Sequence, residues 1–154
     1  MSLTLAYNYS HDYDRAIQQA KKAVGMEPTN DHALNWLGYT YERMGNYKQA
    51  MEQWTKVERA RGHDKYATEI MQIFEKSGYA GFLRQDAKRN EAEDTYNSAA
   101  ADYAMLGDKN AAFAALEKAF ANRDVLFIKV EPQFDNLRSD PRYADLLRRM
   151  GLPQ

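Results

Sequence analysis

Apolar positions recur along this chain at helical spacing, and polar clusters or glycines punctuate them. Leu34, Leu37 and Tyr41 fall at i, i+3 and i+7 and predict a helix opening at Asp31, a candidate N-cap for orphan amide hydrogens. Gly45-Asn46 ends that helix, because both residues tolerate the left-handed conformation. Tyr47, Ala50 and Trp54 mark a second helix folding back on the first. Upstream, Leu3 and Tyr7 lie on a short helix, and Tyr13, Ala16, Ala20 and Ala23 on another that stops before Pro28. Downstream, Tyr66, Ile70, Ile73 and Phe74 form a stripe closed by Gly78, and Tyr79 to Arg89 give a short helix carrying Phe82, Leu83 and Ala87. Tyr96, Ala99, Ala100 and Tyr103 precede a turn at Gly107, and Ala112, Leu116, Ala119 and Phe120 follow it. Val125 to Val130 is a β-branched apolar run too short for a typical helix, and Glu131-Pro132 breaks it. Phe134 to Arg138 reads as one helical turn. Asp140-Pro141 then caps a last helix bearing Tyr143, Leu146, Leu147 and Met150, with Arg148-Arg149 at its cation-favouring end and Gly151 as its stop.

A tyrosine followed nine residues later by an alanine occurs three times: Tyr7/Ala16, Tyr41/Ala50 and Tyr103/Ala112. The first two pairs are 34 residues apart, and the third follows after 62, a full period plus a shortened unit of 28. Leu34-x-x-Leu37-Gly38-x-x-Tyr41 with Gly45, Tyr47, Ala50 and Trp54 resembles the tetratricopeptide repeat consensus, with Leu34 where tryptophan is usual. Each such unit is a pair of antiparallel helices that buries its apolar face on its neighbours. The resemblance implies an all-α, right-handed superhelix, an α-α solenoid of about 3.5 repeats with a C-terminal capping helix. The expected units are 1–30 (partial), 31–64, 65–92 (degenerate and short) and 93–124, followed by a capping segment at 125–154. Gly38 lies mid-helix, where it costs ~1 kcal/mol relative to alanine. A close approach of the partner helix would justify that cost, and Ala50 is expected to face both Gly38 and Tyr41.

The tail carries a narrower resemblance. Leu126-Phe127-Ile128-Lys129-Val130-Glu131-Pro132-x-Phe134-Asp135-x-Leu137-Arg138-Ser139-Asp140-Pro141-Arg142-Tyr143, then Leu146 to Pro153, is similar to the closing segment of a group of bacterial tetratricopeptide proteins. Their parent chains often carry an N-terminal winged-helix DNA-binding, serine/threonine kinase or nucleotide cyclase domain. The resemblance implies a C-terminal regulatory or sensory module of a larger signalling or transcription-regulating protein. Met-Ser-Leu running straight into the second half of a repeat's first helix fits an excised piece of such a chain. Phe127, Phe134, Leu137, Tyr143, Leu146 and Leu147 are expected to cover the apolar edge of the helix from Lys109 to Phe120.

Lysine and arginine number 21 against 22 acids, a balance that argues against direct nucleic-acid binding through a basic surface. No apolar run approaches a membrane span and no secretory leader is evident, so no membrane contact and a cytoplasmic location are expected. The chain has no cysteine, which excludes disulfides and thiolate metal sites. His11, His32 and His63 lack metal-ligand spacing, and His11-Asp12 and His63-Asp64 read as turn and capping pairs. Glu91, Glu93 and Asp94 read as acids complementing a helix start rather than as an acid–base pair. No phosphate loop or activated nucleophile is present, so no cofactor, no metal and no catalytic activity are expected.

In the resembled family, first helices line the inner face. The lining positions map to His32, Asn35, Trp36, Tyr39, Glu42 and Arg43, then Tyr66, Glu69, Ile70 and Ile73, then Asp94, Asn97, Ser98 and Ala101. Of these, His32, Asn35, Trp36, Tyr39, Arg43, Tyr66, Glu69 and Asn97 are the candidate ligand-binding residues, since exposed Trp and Tyr beside amides and an arginine suit a peptide hot spot. The alternative for Trp36 is plain packing between repeats. A carboxylate-clamp subclass is not matched: Asn8 and Asn35 are present, but Glu69 and Ile70 stand where cations are needed. Recognition of a protein or peptide partner is therefore expected. A small-molecule or peptide sensor is one alternative, and a self-association scaffold dimerising through the N-terminal edge is another.

Overall fold

The structure, a computed structural model, describes residues 3–124 and 128–152. The helices are α1 (Leu3–Tyr9), α2 (Tyr13–Met26), α3 (Asp31–Arg43), α4 (Tyr47–Ala60), α5 (Asp64–Ala92), α6 (Tyr96–Met105) and α7 (Lys109–Ala121). A 3₁₀ turn (Pro132–Leu137) and α8 (Pro141–Arg149) follow. No strand occurs among the described residues, and the fold is an all-α helical repeat. The chain divides into two compact units, Met1–Tyr79 and Ala80–Gln154.

One local device closes most of these helices. The backbone N–H five residues after Tyr7, Tyr41 and Tyr103 bonds back to the tyrosine carbonyl: Asp12 to Tyr7 at 2.9 Å, Asn46 to Tyr41 at 2.8 Å and Asp108 to Tyr103 at 2.9 Å. This is the long backbone bond of the Schellman motif, and it requires a left-handed residue just before the donor. His11 (φ 59°), Gly45 (φ 75°) and Gly107 (φ 78°) fill that position. The donor residue also opens the next helix. Asp12 accepts from the Arg15 N–H and Asp108 from the Ala111 N–H, whereas Asn46 makes no side-chain cap bond. Four residues further on, Ala16, Ala50 and Ala112 make the first intrahelical bond back to the cap carbonyl, and all three are fully buried. The nine-residue spacing is thus five residues to close one helix and four to start the next. Gly62, Asp94, Arg123 and Gly151 hold the same left-handed position after α4, α5, α7 and α8.

In the first unit, α1 packs on α2, α2 on α3, and α3 on α4. Ala20, Leu37, Tyr41 and Ala50 form one buried cluster, with Ile17, Val24 and Trp54 at its border. Large α3 side chains fill the gaps left by alanines on α2 and α4, and such interdigitation sustains native packing density. Gly38 does permit a close approach, and the nearest side chain to it is Trp54. A Cβ at Gly38 would lie 2.6 Å from the Trp54 indole nitrogen. Two expectations fail on this unit's surface: Leu3 is 61% exposed, and Ala23 is exposed rather than packed. The α3 cap is Asn30, whose side chain accepts the Ala33 N–H at 2.9 Å. Asp31 is the first helical residue instead, and Arg61 at the end of α4 donates to it at 3.1 Å.

The stretch α5 comprises two helices that meet at the non-helical Gly78 (φ 66°, ψ −171°), the pair expected from the sequence. In the second unit, Ala99, Ala100 and Ala104 of α6 and Ala112, Phe113, Ala115, Leu116 and Ala119 of α7 share a core with the tail. Phe134, Leu137, Leu146 and Ile128 are fully buried there, as are Tyr143 and Leu147 nearly so. Ile128 belongs to this cover although it was not among the residues expected there, and Phe127 lies outside the described residues. Polar contacts fasten the cover. The Tyr143 hydroxyl donates to the Ile128 carbonyl at 2.8 Å, and the Asn136 amide to the Ala104 carbonyl at 2.6 Å. Arg142 stacks on Phe113 at 4.2 Å, and Arg149 on Phe120 at 4.9 Å while also donating to Glu117. Asp140 caps α8, and Pro141 occupies its first turn as expected.

Two predictions follow from these ends. Gly107→Ala forces a Cβ into the left-handed region and should cost about 1–2 kcal/mol, whereas Arg123→Gly relieves that strain and should gain a few tenths to about 1 kcal/mol. Denaturant midpoints with unchanged slopes check both signs. Hydrogen bonds from the Arg142 side chain and backbone N–H depress the Asp140 carboxyl from 3.8 to about 2. A depressed carboxyl stabilises the fold fully above its unfolded value, and that contribution disappears as pH falls through the folded one. The parent should therefore lose stability between about pH 4 and pH 2 more steeply than Asp140→Asn, as read from melts across that window.

Candidate interaction face

Helix α3 positions the candidate residues. Its inner stripe of Leu34, Leu37 and Tyr41 is buried, which turns His32 and Tyr39 outward and leaves Asn35, Trp36 and Arg43 half-buried. Trp36 and Tyr39 sit one helical turn apart with ring centroids separated by 5.8 Å. Tyr39 meets Trp54 of α4 edge-on at 6.0 Å. Trp54 in turn stacks on Tyr79 at 6.2 Å, and Tyr79 lies flat against Tyr47 at 4.2 Å and 7°. Five aromatic rings therefore run in unbroken contact across α3, α4 and the residue after the α5 break. Tyr39 (37%) and Tyr47 (40%) are exposed, and Met44 (40%) lies between them in sequence. The packing and contact readings of Trp36 thus merge: its ring supports Tyr39 while staying partly open.

Beneath this array lies a buried polar chain. Asn8 of α1 is fully buried, and its side-chain amide donates to the Thr4 carbonyl at 3.0 Å and to the Thr40 hydroxyl at 2.9 Å. Thr40 donates onward to the Trp36 carbonyl at 2.7 Å. Asn8 therefore ties α1 to α3. Arg43 lies 6.0 Å from the Tyr9 ring centroid. Glu42 points into the core and accepts the Tyr79 hydroxyl.

Several family-derived lining positions are corrected. Glu42 (6% exposed) and Ile70 (2%) are core residues. Tyr66 is half-buried and Glu69 exposed on the 64–77 arm of α5. Asn97 belongs to α6 of the second unit, half-buried, with its side-chain oxygen lacking a hydrogen-bond partner among the described residues. Asp94 is a left-handed turn residue accepting the Tyr96 hydroxyl at 2.6 Å, and Glu91 lies at the end of α5 instead of opening a helix. Glu91 accepts from the Tyr103 hydroxyl at 3.0 Å and Lys118 at 3.2 Å. Burial, and then this carboxylate, raise the Tyr103 hydroxyl above its usual range. Tyr47 and Tyr79, absent from the candidate set, are the aromatic neighbours that fold topology adds.

A tetratricopeptide repeat family model matches residues 9–68. The match spans α2, α3, α4 and the start of α5, the segment that builds most of the aromatic array. Tetratricopeptide repeats are in general non-catalytic folds that bind other proteins. No curated protein and no solved structure is significantly similar to the chain. Among the described residues no cluster of three or more His, Asp or Glu could hold a metal ion, and no helix is long and apolar enough to cross a membrane.

The buried amide generates a prediction. Asn8→Ala deletes two hydrogen bonds at a fully buried position and should cost about 1–3 kcal/mol. Asn35→Ala, half-buried on α3, should stay within about 0.5 kcal/mol of the parent. Chemical denaturation of both variants measures the difference.

Proposed function

We propose that this chain is a protein–protein recognition module that binds a protein or peptide segment on the first-helix face of its tetratricopeptide region, with Tyr39 and Trp36 as anchors. The observation that carries this reading is the partly exposed array of contacting rings, in which Tyr39 is presented on a rigid bed of Trp36 and Trp54. Rigid aromatic anchors lose little conformational freedom on binding and dominate interface energetics. Arg43 beside Tyr9, with His32, Asn35, Tyr66 and Glu69, supplies polar chemistry around the anchors. Asn97 supplies a separate contact on the second unit. The tail resemblance supports a setting within a larger bacterial regulatory or signalling protein, where this non-catalytic module would address an upstream effector domain.

The test starts with a partner captured by the full-length protein and identified by mass spectrometry. Trp36→Ala and Tyr39→Ala should each weaken its binding at least tenfold, about 1.4 kcal/mol or more. Melting temperature and helical content should stay near the parent's. Unchanged affinity overturns the assignment. A concentration-dependent dimer in sedimentation that survives both substitutions favours the self-association reading, for which the exposed Leu3 of α1 is the starting point.

A further inference from the structure

Gly38 is buried in the middle of α3, a place where only proline suits a helix less. A Cβ there would lie 2.6 Å from Nε1, 2.9 Å from Cδ1 and 3.2 Å from Cε2 of Trp54. All three are closer than the ~3.5 Å at which non-bonded heavy atoms pack best. The indole therefore occupies the space of the missing side chain. Gly25 of α2 gives the contrast, since a Cβ there meets nothing within 4 Å. The other contacts of the indole decide where a displacement would go. Trp54 stacks on Tyr79 at 6.2 Å and 23°, and meets Tyr39 edge-on at 6.0 Å and 73°. Tyr79 is 9% exposed, lies flat on Tyr47 and is bonded through its hydroxyl to Glu42. Tyr39 is 37% exposed and has room to yield. Close-packed side chains transmit a shift rather than absorb it, and the least resisted path from Gly38 ends at Tyr39.

We propose that Gly38 is a positioning residue of the recognition face: by omitting a side chain it seats the Trp54 indole against α3, and through Trp54 it fixes how Tyr39 is presented. Gly38 is buried and touches no partner itself. An anchor contributes most when its pose exists before binding, because the ordering cost is then already met. A side chain at position 38 moves the indole, and the anchor loses the bed that holds its pose. The effect on affinity rests on the reading of Tyr39 as an anchor. The effect on the rings does not, and is measured without any partner.

The test is NMR on the intact chain, whose two tryptophans give two indole N–H signals to assign. In Gly38→Ala the Trp54 indole N–H and the Tyr39 ring protons should both shift, and the cross-peaks between the two rings should weaken. Gly25→Ala should leave these signals in place. The melting temperature should fall in Gly38→Ala and hold or rise in Gly25→Ala, since alanine is otherwise the better helix former. Trp54→Leu clears the indole and should itself move the Tyr39 ring. In that background Gly38→Ala should no longer lower the melting temperature, which keeps the test decisive if Gly38→Ala alone does not fold. With the captured partner, Gly38→Ala should weaken binding several-fold, toward the Tyr39→Ala value. Folded Gly38→Ala with an unmoved Tyr39 ring overturns the proposal. So does an undiminished penalty for Gly38→Ala in the Trp54→Leu protein, and so does parent-like affinity of Gly38→Ala where Tyr39→Ala binds weakly. If Tyr39→Ala itself binds like the parent, the recognition reading falls, and the ring shifts alone decide the role of Gly38.

Discussion

The recurrent constraint is the helix-to-helix closure. A helix end leaves its last carbonyls without intrahelical partners. In this chain the long backbone bond to the carbonyl of Tyr7, Tyr41 or Tyr103 satisfies one of them while reversing the chain, and the donor residue's own carbonyl accepts the first bond of the next helix. The alanine four residues later is then delivered to the interior, fully buried in all three cases. Turn geometry, cap and core position are one unit of sequence. That coupling lets the first-unit helices stack with little besides alanine between their larger side chains.

The two units solve different problems with this device. The first is held by alternation of small and large residues, with Trp54 lying over Gly38 and the buried Asn8–Thr40–Trp36 chain joining α1 to α3. A buried amide bonded in this way fixes the alignment of α1 on α3 more sharply than apolar contact alone. The second has alanine-rich α6 and α7, and their apolar surface is completed by the tail. Exposed ion pairs such as Arg148–Asp145 add little there. The buried Phe134, Leu137, Tyr143 and Leu146 carry the cover, as hydrophobic burial outweighs surface charge pairing.

The aromatic array shows how a recognition surface and a structural core share residues. Tyr39 and Tyr47 reach solvent, whereas Tyr79 and the indole of Trp54 lean inward against Glu42 and Gly38. Edge-on and stacked contacts of this kind hold rings in place without consuming their exposed faces. Such a surface is preorganised, and preorganisation is what converts modest contact area into affinity.

The helix pattern was legible in the sequence because spacing encodes it. Leu34, Leu37 and Tyr41, the Tyr/Ala pairs, Asp140-Pro141 and Gly151 each express a local rule that acts within a few residues. The all-α repeat class and the covering role of Phe134, Leu137 and Tyr143 were also readable there. Asp12, Asn46 and Asp108 stood five residues after each tyrosine, a signal present in the sequence that the Tyr/Ala spacing alone did not single out. Only the tertiary structure decided what meets across elements: Trp54 over Gly38, Glu42 and Ile70 inside rather than lining a face, Asn8 buried as a tie, and Tyr79 held between Tyr47 and Trp54 after Gly78. Those outcomes depend on the rotation and approach of neighbouring helices, and a stripe of apolar positions fixes which face turns inward but not which side chain it meets there.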